Sequence, residues 1–396
     1  MNGFFPASTV HRNTPTGIIP KCGSCGLFKS CQSPKMKPFG KGKKRILVVG
    51  EAPGENEDAQ GRPFVGQAGR FLRERLEALD IDLDEDAWTT NALICHPPHN
   101  ATPDSKQIEY CHPNLIRTLR ELQPHTVITL GRVALASILK DYWGDIGTLD
   151  RWVGWQIPLE IHWVCPTYHP SYLLRMKNPV LDRMFTNHLG KAFSHQKTPP
   201  PQPDWKKRIE ILLDVASAVR AIQELEVQGG WVAVDYETTC LKPEWPRGQI
   251  ITCALSNGTR TISYPWLPKT EAATGELLRS ATSWKIASNL KMEQRWTLKT
   301  FGHGVRNWGW DTMLATHCLD NRTGICSLKF QSLVRLGVPV YNSHISSYLD
   351  SSGPDYPYNR IKEIDLHQLL FYGGMDALLE YRLARKQRRD LGYDPI

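Results

Sequence analysis

The residues best suited to chemistry fall into two groups, one in each half of the chain. In the C-terminal half, Asp235 and Glu237 flank Tyr236 just after the apolar run Trp231 to Val234. Alternate side chains of a strand share a face, so the two carboxylates stand side by side. There they repel unless a cation lies between them, and a pair of divalent ions about 4 Å apart would relieve the repulsion and activate water against a phosphodiester. Glu293 closes the stretch that begins at Asn289, Asp311 precedes Thr312, and Asp376 follows Tyr372 by four residues, a spacing that puts both on one helical face. In the N-terminal half, Cys22 and Cys25 are a close pair of thiols, and Cys95 and Cys111 add two more at wider spacing. Four soft ligands suit zinc or an iron–sulfur cluster, and a zinc ribbon would more often show two close pairs.

These groups need elements to hold them. Before residue 198, apolar runs at Ile46 to Val49, Thr126 to Leu130 and Ile161 to Val164 alternate with helical patterns such as Gly69 to Leu79, which predicts an α/β unit with a largely parallel sheet covered by helices. After it, strands are expected at Trp231 to Val234, Ile251 to Leu255 and Thr261 to Tyr264, then helices from Asp311 onward, giving a mixed sheet and a helical cluster. Four prolines lie between Thr198 and Pro203, the composition of a semi-rigid spacer. The expected organisation is a loose N-terminus over residues 1–19, a first domain over 20–193, a Pro-rich linker over 194–207 and a second domain over 208–396.

Composition sets outer bounds. The chain has 396 residues, long enough for two cores, with 41% hydrophobic and 22% charged residues, which excludes wholesale disorder. No run approaches the roughly 20 apolar residues of a membrane span and the first residues lack a signal-peptide pattern, so the expectation is a soluble, cytoplasmic protein without membrane partners. A net charge of +8 favours a polyanionic partner such as DNA.

Four blocks of the first half occur in a telling order: Gly50 to Gly54 with Glu57 and Asp58, Gly61 to Gly69, Thr90 to Asn100, and Tyr168 to Arg175. Together with the cysteines they resemble the family-4 uracil-DNA glycosylases over residues 20 to about 190. The resemblance implies that Cys22, Cys25, Cys95 and Cys111 hold a [4Fe–4S] cluster. It also implies that Phe64 stacks on a flipped uracil, Asn91 reads its Watson–Crick edge, His169 binds the carbonyl beside the leaving nitrogen, and Glu51 orients water or stabilises the developing sugar cation. Glu57 then crowds the site of a thymine methyl, and Asn100 joins the substrate-binding residues. An enzyme that cuts the base–sugar bond must extrude, stack and read the base, and these side chains are chemically able to do so. The segment Leu173 to Arg175, with Leu174 and Arg175 foremost, would fill the vacated stack and hold a phosphate.

The motifs at Asp235 and Glu237, Asn289 to Glu293, and Tyr372 to Asp376 resemble the tyrosine-type DEDD 3′–5′ exonucleases of family A DNA polymerases, over about residues 230 to 390. An RNase H-like fold follows from that resemblance. So do Asp235, Glu237 and Asp376 as ligands of two Mg²⁺ or Mn²⁺ ions, and Tyr372 as the group orienting the attacking water. The family's aspartate in the middle motif is Glu293 here, one methylene longer, which puts the metal geometry and the rate in doubt. Asp311 reads as a helix N-cap rather than a substitute ligand. Trp296, Trp308 and Trp310 suit either base stacking or the core, and the basic run Arg382 to Arg389 reads as a solvated helix face.

The order of the two modules is similar to the front of certain bacteriophage DNA polymerases, with no polymerase domain recognisable. The leading expectation is therefore a phage-type replication or repair protein that trims 3′ ends, and removes uracil, beside a polymerase on a separate chain. The alternatives are a base-excision enzyme in which the glycosylase dominates, and a non-catalytic iron–sulfur module for DNA binding or assembly.

Overall fold

Short apolar runs such as Ile46 to Val49 suit strands buried on both faces, and the computed structural model, which describes residues 20–351 and 356–396, builds them so. The N-terminus expected to be loose, residues 1–19, lies outside the described residues. The chain divides into two compact units between Pro201 and Gln202.

The first unit holds β1 (Ile46–Gly50), β2 (Ala87–Asn91), β3 (Thr126–Leu130), β4 (Ile157–Leu159) and β5 (His162–Thr167), in the spatial order β2-β1-β3-β5-β4. All pairings are parallel except β4 with β5, so the sheet expected to be parallel carries one antiparallel edge strand. Ile46, Val48, Ile128 and Leu130 pack against Phe71, Leu72 and Leu76 of the helix Gln67–Glu77 and Phe185 and Leu189 of the helix Pro179–Phe193. Leu47, Val49 and Val127 alternate to the other face and are equally buried, where the helix Arg132–Leu139 packs on β1 and β3 and the helix Ser105–Leu122 packs on that helix. Each such side chain removed from water contributes about 1.5–3 kcal/mol. The carboxyl ends of β1 and β2, in register at Gly50 and Asn91, open the crevice where α/β sheets bind ligands.

The second unit holds β6 (Ile209–Ile211), β7 (Gly230–Thr238), β8 (Ile250–Ser256), β9 (Thr261–Pro265), β10 (Ser283–Ala287) and β11 (Trp308–Asp311), ordered β11-β10-β7-β8-β9-β6. β7, β8 and β9 run antiparallel to their neighbours in that trio, while β10 and β11 extend the sheet from β7 in parallel. This is the expected mixed, RNase H-like sheet, with β6 added in parallel at the far edge. The 25-residue helix Leu366–Asp390 lies against β6 to β10. Gly374 permits the close approach: a Cβ there would sit 2.5 Å from Ile209 Cγ2. Among the described residues no helix is long and apolar enough to cross a membrane.

Candidate active sites

A cleft of about 650 Å³ opens at the crevice of the first unit, lined by Glu51, Glu57, Phe64, Asn91, Asn100, His169 and Arg175 among others. Seven of the site residues expected from sequence thus meet at one place. Their arrangement depends on glycine. A Cβ on Gly50 would lie 2.3 Å from Asn91 Oδ1 and 2.8 Å from Phe64 Cζ, so the two side chains rest directly on the end of β1. Phe64 itself has φ 55°, a left-handed conformation costly for a bulky residue. Gly69, whose Cβ would strike Phe64 O at 1.9 Å, lets the following helix fold back under it.

His169 caps the helix Pro170–Met176, and the Ser171 backbone N–H donates to its Nδ1 at 3.2 Å. A nitrogen that accepts carries no proton, so the Nε2 bears the hydrogen and is the ring's donor. Burial, helped by the Arg175 charge, pushes the imidazole down to about 4. The ring is therefore neutral at pH 7 and can donate a hydrogen bond to a developing anion without having to shed a charge first. Burial raises the Glu51 carboxyl, with Arg175 opposing.

Glu57 accepts from Gly66 N at 2.7 Å and from Gly54 N at 3.2 Å, which pins the loop that carries Phe64. Asn100 is exposed at the mouth and accepts from Glu55 N and His96. Leu173, expected in the inserting wedge, is instead buried in the core, which it reaches from the inner face of its helix; Leu174 packs partly against that core and Arg175 is exposed.

Cys22, Cys25, Cys95 and Cys111 line one small apolar cavity with Leu27, Phe28, Leu93 and Ile94. Burial first, and then the neighbouring thiols Cys31 and Cys111, push Cys95 up to about 12 against the opposing hydrogen bond from Lys35 N, and burial raises Cys111 as well, so these two buried sulfurs become thiolates only with a cation beside them. Lys35 N donates to Cys95 Sγ at 3.3 Å and Asn114 Nδ2 to Cys111 Sγ at 3.5 Å, the kind of hydrogen bond that tunes a metal–thiolate centre. A single tetrahedral zinc would bring its sulfurs to about 3.8 Å of one another. Among the described residues the cysteines form no group of three or more within 4.8 Å. Asp58 ties this region to the cleft, since the helix Glu55–Gln60 carries it and it accepts from Gln32 N and Ser33 N at 2.9 and 2.8 Å.

In the second unit, β7 ends with Asp235 and Glu237 on one face while Tyr236 turns into the core and bonds Thr297. The helix Leu366–Asp390 brings Tyr372 and Asp376 to the same place. Asp235, Glu237 and Asp376 offer oxygens within 4.8 Å of one another. Crowding and burial raise two of these carboxylates. Asp235 is pushed up to about 8 by burial and then by Asp376, and Glu237 goes well above the carboxylate range by burial and then by Asp235. Asp235 Oδ2 has no hydrogen-bond partner, and one or two divalent cations suit this donor set. Burial and Asp376 keep the Tyr372 phenol protonated, so its O–H is a donor.

Glu293 is 4% exposed, lies outside that group of three, and leaves Oε2 unpartnered. Asp311 caps the helix Thr312–Leu319 through Met313 N and Leu314 N, and also accepts from Asn289 N and Leu290 N, which fixes the turn leading to Glu293. Trp296 belongs to the core, and Trp308 and Trp310 tie their indoles to Gln294 and Gln387. Within the basic run, Arg388 lies over the rings of Trp231 and Trp310.

Three residues near this site escape sequence reasoning. Lys329 donates to Tyr372 Oη at 2.8 Å and to Asp376 Oδ2, and Tyr341 donates to Asp376 Oδ1. Glu380, one helical turn past Asp376 and 2% exposed, accepts from Ser288 N and leaves Oε2 unpartnered. The four-residue spacing from Asp376 was the available signal for Glu380; none pointed to the other two.

Comparison with known proteins gives two family matches. The uracil DNA glycosylase superfamily model matches residues 37–193, and the 3′–5′ exonuclease model residues 209–391. The type-4 uracil-DNA glycosylase of Saccharolobus solfataricus is 36% identical over 178 residues, 44% of this chain and 81% of that one. A DNA polymerase of Bacillus phage SP01 is 26% identical over 213 residues, 52% of this chain but 22% of the polymerase. Among solved structures, Brucella melitensis NrnC with bound Mg²⁺ is 19% identical with a TM-score of 0.33, covering 46% of this chain and 79% of that one.

Proposed function

From a chain whose N-terminal half belongs to the uracil-DNA glycosylase superfamily, among the type-4 enzymes, and whose C-terminal half is a 3′–5′ exonuclease domain, we propose a DNA-processing enzyme that trims 3′ ends and excises uracil. The observation that carries the exonuclease reading is the convergence of Asp235, Glu237 and Asp376 within 4.8 Å. These three would hold two Mg²⁺ or Mn²⁺ ions, which when bound supply Lewis acidity to the scissile phosphate. Glu293 stands behind them as a further carboxylate. Tyr372 directs its O–H at the attacking water. Water oxygen bonds to phosphorus, the P–O3′ bond breaks, and a nucleoside 5′-monophosphate leaves behind a new 3′-hydroxyl.

In the cleft of the first unit, Phe64 would stack on an extruded uracil and Asn91 would read its edge, with Glu57 against a thymine methyl and Asn100 at the entrance. The base–sugar electron pair passes to the uracil ring, and His169 Nε2–H donates to the carbonyl that carries the charge. Glu51 orients the water that adds to C1′, while Leu174 and Arg175 face the DNA gap and its phosphate. Cys22, Cys25, Cys95 and Cys111 would hold a [4Fe–4S] cluster, whose contribution is to order the 20–36 segment that Asp58 links to the cleft. The likeness to a phage polymerase supports a role in the same process as a DNA polymerase.

Two assays on the purified full chain test this. With 5′-labelled single-stranded DNA and Mg²⁺, a descending ladder is expected, and Asp235→Ala should abolish it. With a uracil-containing oligonucleotide, base release followed by alkali should cut the strand at the uracil, and His169→Ala should suppress it. DNA retained with neither product would instead make the chain a binding module.

A further inference from the structure

The exonuclease site contains one cation of its own. Lys329 stands on the helix Leu328–Leu336, and its side chain, 19% exposed, runs between two tyrosines, with Nζ 5.2 Å from the Tyr341 ring centroid and 4.5 Å from that of Tyr372. Those rings, 6.1 Å apart, leave the ammonium few other places to go. It donates to Asp376 Oδ2 and to Tyr372 Oη, while Tyr341 donates to Asp376 Oδ1. Both oxygens of Asp376 are therefore engaged by the chain's own donors. Lys329 also opposes the burial of Asp235, Glu237 and Glu380, which otherwise face one another unneutralised.

Two consequences follow from elementary electrostatics. A lysine ammonium has no acceptor, so the Tyr372 hydrogen cannot point at it and must be donated elsewhere; Lys329 thus sets the direction of that O–H. A divalent cation approaching Asp376 Oδ2 must displace the ammonium, and it feels a like charge at close range as it does so. We propose that Lys329 is an internal counter-cation of the exonuclease site, a positioning residue that aims the Tyr372 hydroxyl and competes with divalent metal for Asp376. The inference rests on the reading of Asp235, Glu237 and Asp376 as metal ligands and adds to it a residue that sets how tightly those ligands bind.

Isothermal titration of the full chain with Mn²⁺ alone tests it without any nuclease readout. The site is identified as the Mn²⁺ binding that Asp235→Asn removes. Lys329→Met keeps length and packing between the rings but removes charge, and should bind Mn²⁺ about ten-fold more tightly than wild type. Lys329→Arg keeps the charge and should stay within about two-fold. Lys329→Gln covers the case in which the methionine variant does not fold, and should also bind more tightly. Equal or weaker binding by the uncharged variants overturns the proposal, as does tightening by Lys329→Arg to the same degree. Failure of wild type to bind Mn²⁺ at all overturns both the proposal and the metal reading. Binding in the expected order without DNA trimming would uphold the proposal while defeating the exonuclease reading. In an active enzyme, Lys329→Met should lower turnover at saturating Mn²⁺ even though it binds the ion better, a split that loss of structure alone would not produce.

Discussion

Gly50→Ala is the sharpest test of how the first unit builds its cleft. The substitution adds one methyl at the end of a strand whose residues are all buried, where no positive φ forbids it. That methyl would lie 2.3 Å from Asn91 Oδ1 and 2.8 Å from Phe64 Cζ. Ordinary contact distances are about 3.2–3.6 Å, so each side chain must retreat by roughly 0.8–0.9 Å. Misplacement of about 1 Å in a preorganised site can cost about 100-fold in rate. The expected outcome is therefore a fall of about two orders of magnitude in kcat/KM for uracil release from single-stranded DNA. Strain of this kind costs about 1–3 kcal/mol in stability, so the variant should still fold. The control is internal, because 3′ trimming by the second unit should be unchanged. Uracil release within three-fold of wild type would refute the claim that Asn91 and Phe64 are seated by the backbone of β1.

Other outcomes follow from the charges. Because His169 is held down to about 4, it is neutral throughout the physiological range, and uracil release should show no ionisation of this residue between about pH 5.5 and 8; a histidine-like inflection near 6.5 that vanishes in His169→Gln would contradict this. In the metal-free protein the folded form keeps a proton on Asp235 up to about 8, whereas the unfolded chain releases it near 3.9. Its contribution to stability is thus fully present below about pH 4 and lost as pH rises towards 8. The thermal midpoint of wild type should accordingly fall relative to Asp235→Asn across that window, and Mg²⁺ should oppose the fall; parallel curves would argue against the buried carboxylate cluster. Glu380 is buried with one oxygen unpartnered, so Glu380→Gln should stabilise the metal-free protein by about 1–3 kcal/mol in denaturant unfolding, and destabilisation of that size would mean the charge is compensated.

The sequence made some of this legible because local rules governed it. Asp235 and Glu237 share a face for the same reason that Tyr236 points inward, the two-residue repeat of a strand, and Tyr372 meets Asp376 through the helical repeat. Asp311 reads as a cap because an acceptor ahead of free backbone N–H groups has few better uses. The resemblance to known families placed the cleft residues and cysteines. What escaped are contacts between segments with no shared periodicity: Lys329 with Asp376 is 47 residues apart and Tyr341 with Asp376 is 35. Lysine and tyrosine also have ordinary surface and core uses that conceal such a role. The three-residue strands β4 and β6 escaped because their pairing is decided by the neighbouring strand rather than by their own sequence. Trp296 joined the core because a helix supplies one face to solvent and one to the sheet, and composition does not say which.

The central claim is that side chains from β7 and the C-terminal helix hold catalytic cations. Crystals of the full chain soaked in Mn²⁺ and measured at the manganese absorption edge should show anomalous peaks bounded by Asp235, Glu237 and Asp376, with Lys329 withdrawn from Asp376. No peak among those carboxylates at saturating Mn²⁺, with Lys329 still on Asp376, would contradict it.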